Sequence, residues 1–166
     1  MDLAEVKRFW GNNNLRTASV SAVHGLPLTL QDRTLLTEIG LPELPGLPLE
    51  FFLDKKCLRQ VANLVLIGTD GAGDICIDGA NGFVIWVNSE DVGTKRFINS
   101  NLENFAIFLT IYEQWRRLVR DLKVESKQIE AVSKLETSFR ETDAAAVKDP
   151  ESFWALVLEQ SRDGLL

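Results

Sequence analysis

The chain has 166 residues, 45% of them hydrophobic, and a formal net charge of −6. That length suits a single domain over residues 1–166, and the negative balance excludes the dense Lys/Arg surface that binding nucleic acid needs. No apolar run approaches the roughly 20 residues of a membrane helix, and the start Met1-Asp-Leu-Ala-Glu lacks the basic-then-apolar layout of a signal peptide, so a cytoplasmic location without membrane attachment is expected.

Leu3, Val6 and Trp10 fall at helical spacing, and Gly11 with three asparagines ends that first helix. The stretch 12–28 reads as irregular and holds the only histidine, His24, which has no cysteine near it and is expected to be structural. Thr29 is a good N-cap for a helix over Leu30 to Ile39, with Leu35, Leu36 and Ile39 on one side and Gly40 as the stop. Three prolines and a glycine in Leu41-Pro-Glu-Leu-Pro-Gly-Leu-Pro48 predict a fixed surface connection. Leu49 to Leu53 is expected as an edge strand, and Leu58 to Ala62 as the start of the next.

The organising stretch runs from Ala62 to Leu122. Three short apolar runs, Leu64 to Ile67, Ile75 to Ile77 and Phe83 to Val87, are separated by turns rich in Gly, Asp and Asn. That pattern predicts consecutive antiparallel strands. The runs are apolar at successive positions, which predicts a sheet with both faces covered. Asp70-Gly71, Asp78-Gly79 and Asn81-Gly82 are expected to supply the positive φ of tight turns, and glycines 68, 71, 73, 79 and 82 read as backbone devices. Ser100 and Glu103 have capping-box spacing before a long helix. Its apolar face is Leu102, Phe105, Phe108, Leu109, Tyr112, Trp115, Val119 and Leu122. A helical extension from about residue 126 follows, with Ile129, Val132, Leu135 and Phe139 as its apolar side. Asp149-Pro150 predicts the N-terminus of a last helix carrying Phe153, Trp154, Leu156 and Val157. Trp86, Trp115 and Trp154 are expected in the core. The expected fold is therefore α+β: a central, mainly antiparallel β-sheet of about five to six strands flanked by α-helices.

Charge is unevenly spread. Residues 43–92 hold eight acids against three bases, whereas 101–140 hold six acids against seven bases. An acidic surface over the strands would steer a basic partner toward it, and Asp70, Asp74, Asp78, Glu90 and Asp91 are the candidate contacts. The competing reading is that these acids serve the turns they stand in.

Motifs for chemistry are weak. Gly68-x-x-Gly71-x-Gly73 lacks a following Gly-Lys-Ser/Thr and leads into a strand, so it is no phosphate loop. Asp70, Asp74 and Asp78 at spacing four do not match a calcium loop. Cys57 and Cys76 read as small buried hydrophobes rather than a disulfide or metal pair. Asp70 and Asp78 leave open a carboxylate pair for hydrolysis. No catalytic set, cofactor or metal site is expected, and a non-enzymatic binding protein is the preferred reading.

Several stretches together resemble the SUKH superfamily, and within it the fourth subfamily of bacterial immunity proteins. They are Gly40-Leu-Pro42 with Phe51-Phe52, the core Ile67-Gly68, Ile75-Cys-Ile-Asp78 and Gly82-Phe-Val84, then Phe97-Ile-Asn-Ser-Asn-Leu102 with Phe105 and Tyr112, and finally Asp149-Pro150 with Phe153-Trp154. The resemblance covers most of the chain. It implies a SUKH-like α+β fold and a role in neutralising a polymorphic bacterial toxin, often a nuclease or nucleic-acid deaminase, by binding it. The superfamily also holds interaction scaffolds with no toxin, so a regulatory scaffold is the alternative.

Overall fold

The computed structural model describes residues 1–42, 49–54, 58–91, 93–120 and 125–164. The proline-rich connection over 43–48, Cys57 and Leu122 lie outside the described residues.

Helix α1 (Leu3–Trp10) forms where its spacing places it, with Asp2 and Glu5 in a reciprocal capping box and Gly11 as the stop. The stretch that reads as irregular contains a 3-10 turn (Asn12–Asn14), strand β1 (Leu15–Arg16) and the single turn α2 (Val20–Val23). Helix α3 (Leu30–Thr34) is capped by Thr29 and Asp32, then widens into a π-helical turn, Leu35–Ile39. The Gly40 N–H donates to the Leu35 carbonyl at 2.7 Å, five residues back, and closes that wider turn. Strand β2 (Leu41–Pro42) pairs with β1 in a small sheet of its own.

The main sheet is β3 (Glu50–Phe51), β4 (Arg59–Val61), β5 (Leu64–Thr69), β6 (Gly73–Asp78), β7 (Val84–Asn88) and β8 (Lys95–Asn99), all antiparallel. Strands β5 to β8 are sequential neighbours, and β3 and β4 share the outer edge of β5. This is the expected α+β architecture, with the edge role foreseen for Leu49 to Leu53. Gly71 and Gly82 have the positive φ their turns require, +86° and +78°. Gly79 does not. It is small because Pro27 presses on it: a Cβ there would lie 2.5 Å from the Pro27 carbonyl oxygen.

Helix α4 (Leu102–Arg120) is the long helix after the sheet, followed by α5 (Glu125–Asp143), a 3-10 turn (Ala144–Val147) and α6 (Phe153–Arg162). Two caps differ from the sequence expectation. The Asn101 side chain, not Ser100, accepts the Asn104 N–H and caps α4. Ser100 is drawn to Asp143 and Glu103 to Gln31. Ser152, not Asp149, is the N-cap position of α6, because Asp149 closes a turn with the Glu151 and Ser152 N–H groups first. Ile129, expected on the apolar side of α5, is 58% exposed.

The helices and one face of the sheet share a single apolar cluster. From the strands it takes Val65, Ile67, Ile75, Ile77, Val84, Trp86 and Ile98, and from α4 Phe105, Phe108, Leu109 and Tyr112. Trp86, Trp115 and Trp154 are all buried, as expected. Phe108 stacks on Phe139 of α5 with centroids 4.1 Å apart, and Trp154 of α6 lies 5.0 Å from Phe139. Burying such a ring stabilises by about 1.5–3 kcal/mol relative to exposure. The opposite face differs from expectation. Its cluster is Leu66, Cys76 and Val87 with Leu64 and Ile85, all strand residues, and no helix residue joins it among the described residues.

Candidate partner-binding surface

Register decides where the five candidate acids go. Gly73 pairs with Asn88, so the β5–β6 turn and the β7–β8 turn lie side by side at one end of the sheet. That end gathers Asp70, Glu90 and Asp91, with Asp74 one residue inside β6. Asp78 is apart from them. It pairs with Leu64 at the other end of β6, about 17 Å away at the usual rise per strand residue. The possible carboxylate pair of Asp70 and Asp78 is therefore overturned: a whole strand separates them.

Several of these acids do turn work. The Asp70 carboxylate accepts the N–H groups of Ala72 and Gly73 at 2.9 and 2.8 Å. Asp78 accepts the Ala80 N–H at 2.9 Å. Asp91 accepts the Gly93 N–H and the Thr94 hydroxyl, and these bonds, the hydroxyl first, hold its carboxyl below the usual range. Asn88 accepts from Glu90 and Asp91 N–H and fixes the same turn. Among the described residues the side chains of Asp74 and Glu90 make no hydrogen bond.

Side chains two apart on a strand share a face. Asp74, Cys76 and Asp78 therefore project from the face opposite the helices, with Thr69, Val87 and Lys95 across from Asp74. The register then runs Leu66, Cys76, Ile85 across β5 to β7, an apolar row on that outer face, and reaches Phe97 on β8, which packs against the main cluster at the sheet edge. At the β8 edge the row meets a groove of about 430 Å³ lined by Phe83, Phe97, Ala145 and Pro150, with Lys148 and Asp149 as its charged members. Phe83 and Phe97 meet edge to face at 5.4 Å, and Phe83 is 39% exposed.

Little here suits covalent or metal chemistry. Burial first, then neighbouring Asp74, push the Cys76 thiol up to about 12 against the pull of Lys95, so no thiolate forms at neutral pH. His24 is exposed on its loop. Among the described residues no three His, Cys, Asp or Glu side chains converge as metal ligands, and no helix is long and apolar enough to cross a membrane.

Besides Asp32 in the α3 cap, two buried acids were missed from the sequence. Asp143 accepts the Ser100 N–H at 2.7 Å, the Ser100 hydroxyl at 2.8 Å and the Asn99 amide at 3.2 Å. Asn99 in turn accepts the Trp154 indole N–H at 2.9 Å, so one network ties β8 and the start of α4 to α5 and α6. An acid in the last turn of a helix opposes the helix dipole, and that was the available signal. Glu113, 2% exposed, accepts hydrogen bonds from both Arg116 and Arg117 at 2.7 and 2.8 Å. Its (i, i+3) and (i, i+4) spacing to two arginines was equally visible. Both serve the scaffold. The apolar row with its aromatic groove was also missed, because a single-sequence reading does not give the register that aligns Ile85 with Phe97.

No curated protein and no solved structure matches this chain. A family model described as "SUKH-4 immunity protein" matches residues 1–160, nearly the whole length. With its mostly antiparallel sheet, its flanking helices and that match, the chain belongs to the SUKH-4 immunity protein family.

Proposed function

We propose that this chain neutralises a protein toxin by binding it, without a reaction of its own. The observation that carries the reading is the acidic sheet end, where two adjacent turns bring together Asp70, Glu90 and Asp91, with Asp74 beside them. Asp70 and Asp91 are already fixed by backbone N–H groups. Charges held in place before contact lose little conformational freedom on binding and speed the encounter with an oppositely charged surface. The partner is accordingly a basic protein, and a nuclease or nucleic-acid deaminase, whose own substrate is an anion, has that character. Asp78, at the far end of β6, flanks the contact rather than joining its acidic centre. The net charge of −6 disfavours nucleic acid and an anionic membrane surface as the ligand.

The test is co-expression. The chain is produced together with each toxic C-terminal domain of the large secreted proteins encoded in the same genome, and growth is scored. Rescue from one domain, with a stable complex of the two purified proteins, is the expected result. Failure to rescue from any of them leaves the regulatory scaffold as the better reading.

A further inference from the structure

The outer face of the main sheet is built differently from a surface that only meets water. A solvent-facing strand face alternates polar residues with the apolar ones turned inward. Here the row Leu66, Cys76, Ile85 crosses β5 to β7 on the face away from the helices and meets Phe97 at the β8 edge, where Phe97 packs against the main cluster. Leu64 and Ile85 are only half-buried, and Val61 on neighbouring β4 is 69% exposed. The row ends in the groove of about 430 Å³ whose walls include the rings of Phe83 and Phe97.

The geometry points to this outer face, with its aromatic groove, as the docking site of the toxin: a basic protein surface that seats one protruding apolar side chain between Phe83, Phe97 and Pro150 and sets Lys or Arg residues opposite Asp74 and Asp78. The inference rests on the toxin-binding reading above and adds to it the contact surface and its anchor. Charge chooses the occupant. Asp74 and Asp78 lie on either side of Cys76 along β6, and the acidic turns with Asp70, Glu90 and Asp91 continue the negative rim at one end. Among the described residues Arg59 and Lys95 are the bases that the register places on the same face, and Lys148 lines the groove. A second copy of this chain centred on Cys76 is disfavoured. A two-fold axis through Cys76 exchanges the positions of Asp74 and Asp78, so carboxylate would face carboxylate, and like charges directly opposed are unfavourable. A desolvated apolar anchor within a charged rim is the arrangement in which a few residues carry most of the binding free energy.

The experiment uses the full chain and the toxic domain that it rescues in co-expression. Dissociation constants are measured by calorimetry for the unsubstituted chain and for Phe83→Glu, Ile85→Lys and Asp74→Lys. Phe83→Glu and Ile85→Lys are each expected to weaken binding about 30-fold or more, and Asp74→Lys about tenfold. Leu118→Glu makes the same kind of change on the exposed side of α4, where Leu118 is 56% exposed. It is expected to bind within about threefold of the unsubstituted chain. Phe83 is partly exposed at a turn, so Phe83→Glu carries the test even if Ile85→Lys does not fold, and melting curves identify which variants are native. Binding of native Phe83→Glu within about threefold of the unsubstituted chain overturns the docking site and leaves the toxin-binding reading standing. If the unsubstituted chain rescues cells from no toxic domain, the toxin-binding reading falls, and the docking site with it.

Discussion

The two faces of the main sheet bury apolar residues by different means. On the inner face, strand residues meet a wall of aromatic rings from three helices: Phe105 and Phe108 from α4, Phe139 from α5 and Trp154 from α6, each completely buried. On the outer face, Leu66, Cys76 and Val87 are shielded by neighbouring strand side chains, and among the described residues no helix side chain joins the cluster. Depth of packing sets the cost of a substitution, because a removed side chain leaves a cavity only where the surroundings cannot close in. The inner face therefore holds most of the stability, and on the outer face it is the exposed positions around Leu66, Cys76 and Val87 that can vary at small cost to the fold.

Trp154→Ala breaks the inner face hardest. It removes the ring packed against Phe108, Phe139 and Tyr112 and leaves Asn99 without its indole donor. A loss of about 3–5 kcal/mol in a denaturant titration is expected, a large share of a small domain's stability. Asp143→Ala comes next. It strands the Ser100 N–H and the Asn99 amide at about 1–3 kcal/mol per unsatisfied buried group. Both losses are expected in stability, and for Trp154→Ala the toxin affinity of the remaining native protein is unchanged. If Trp154→Ala weakens binding without lowering stability, the separation of the two faces is wrong.

Glu113 gives a smaller effect with a pH signature. Burial pushes its carboxyl up, but hydrogen bonds from Arg116 and Arg117, with their charges, outweigh burial and leave it below its ordinary value of 4.5. The unfolded chain then takes up this proton at a higher pH than the folded chain does. The contribution of Glu113 is complete above about pH 4.5 and is lost as pH falls through the lower folded value. Glu113→Gln is expected to cost about 1–2 kcal/mol at neutral pH and to flatten the fall of stability below about pH 5. An unchanged acid limb, followed by circular dichroism, would place the acid sensitivity elsewhere.

The same contrast explains what the sequence discloses. Helices α1 and α4 and strands β5 to β7 are written in local signals: apolar spacing, Gly stops and Asp-Gly or Asn-Gly turns. The core roles of Trp86, Trp115 and Trp154 follow from those patterns. What local signals cannot carry is competition from distant partners. Ser100 and Glu103 have the spacing of a capping box, yet Asp143, 43 residues from Ser100, takes the Ser100 hydroxyl. Five acids in the strand region look like one set, but Asp78 is separated from the others by strand direction, which only the pairing of β6 fixes. Likewise, an apolar run says that both strand faces are apolar. It does not say that, among the described residues, helix side chains join the cluster on one face and not on the other.

The smallest expected effects lie with the outer acids, and they decide between turn chemistry and recognition. Asp70→Ala deletes the acceptor for two backbone N–H groups and is expected to cost about 1 kcal/mol, as loss of a cap does. Asp74→Asn and Glu90→Gln keep shape and delete charge. Neither side chain makes a hydrogen bond among the described residues, so stability is expected to stay within about 0.5 kcal/mol. If the acids serve only their turns, these two variants also bind the toxin at the unsubstituted rate. If the acidic end steers a basic partner, both slow association, and the slowing is largest at low salt and fades as ionic strength rises past the point where the screening length falls to about 10 Å. For Glu90→Gln the dissociation rate stays nearly constant in that case, because a rim charge acts mainly before contact. Stopped-flow association at two salt concentrations therefore separates a carboxylate that shapes its own loop from one that attracts a partner.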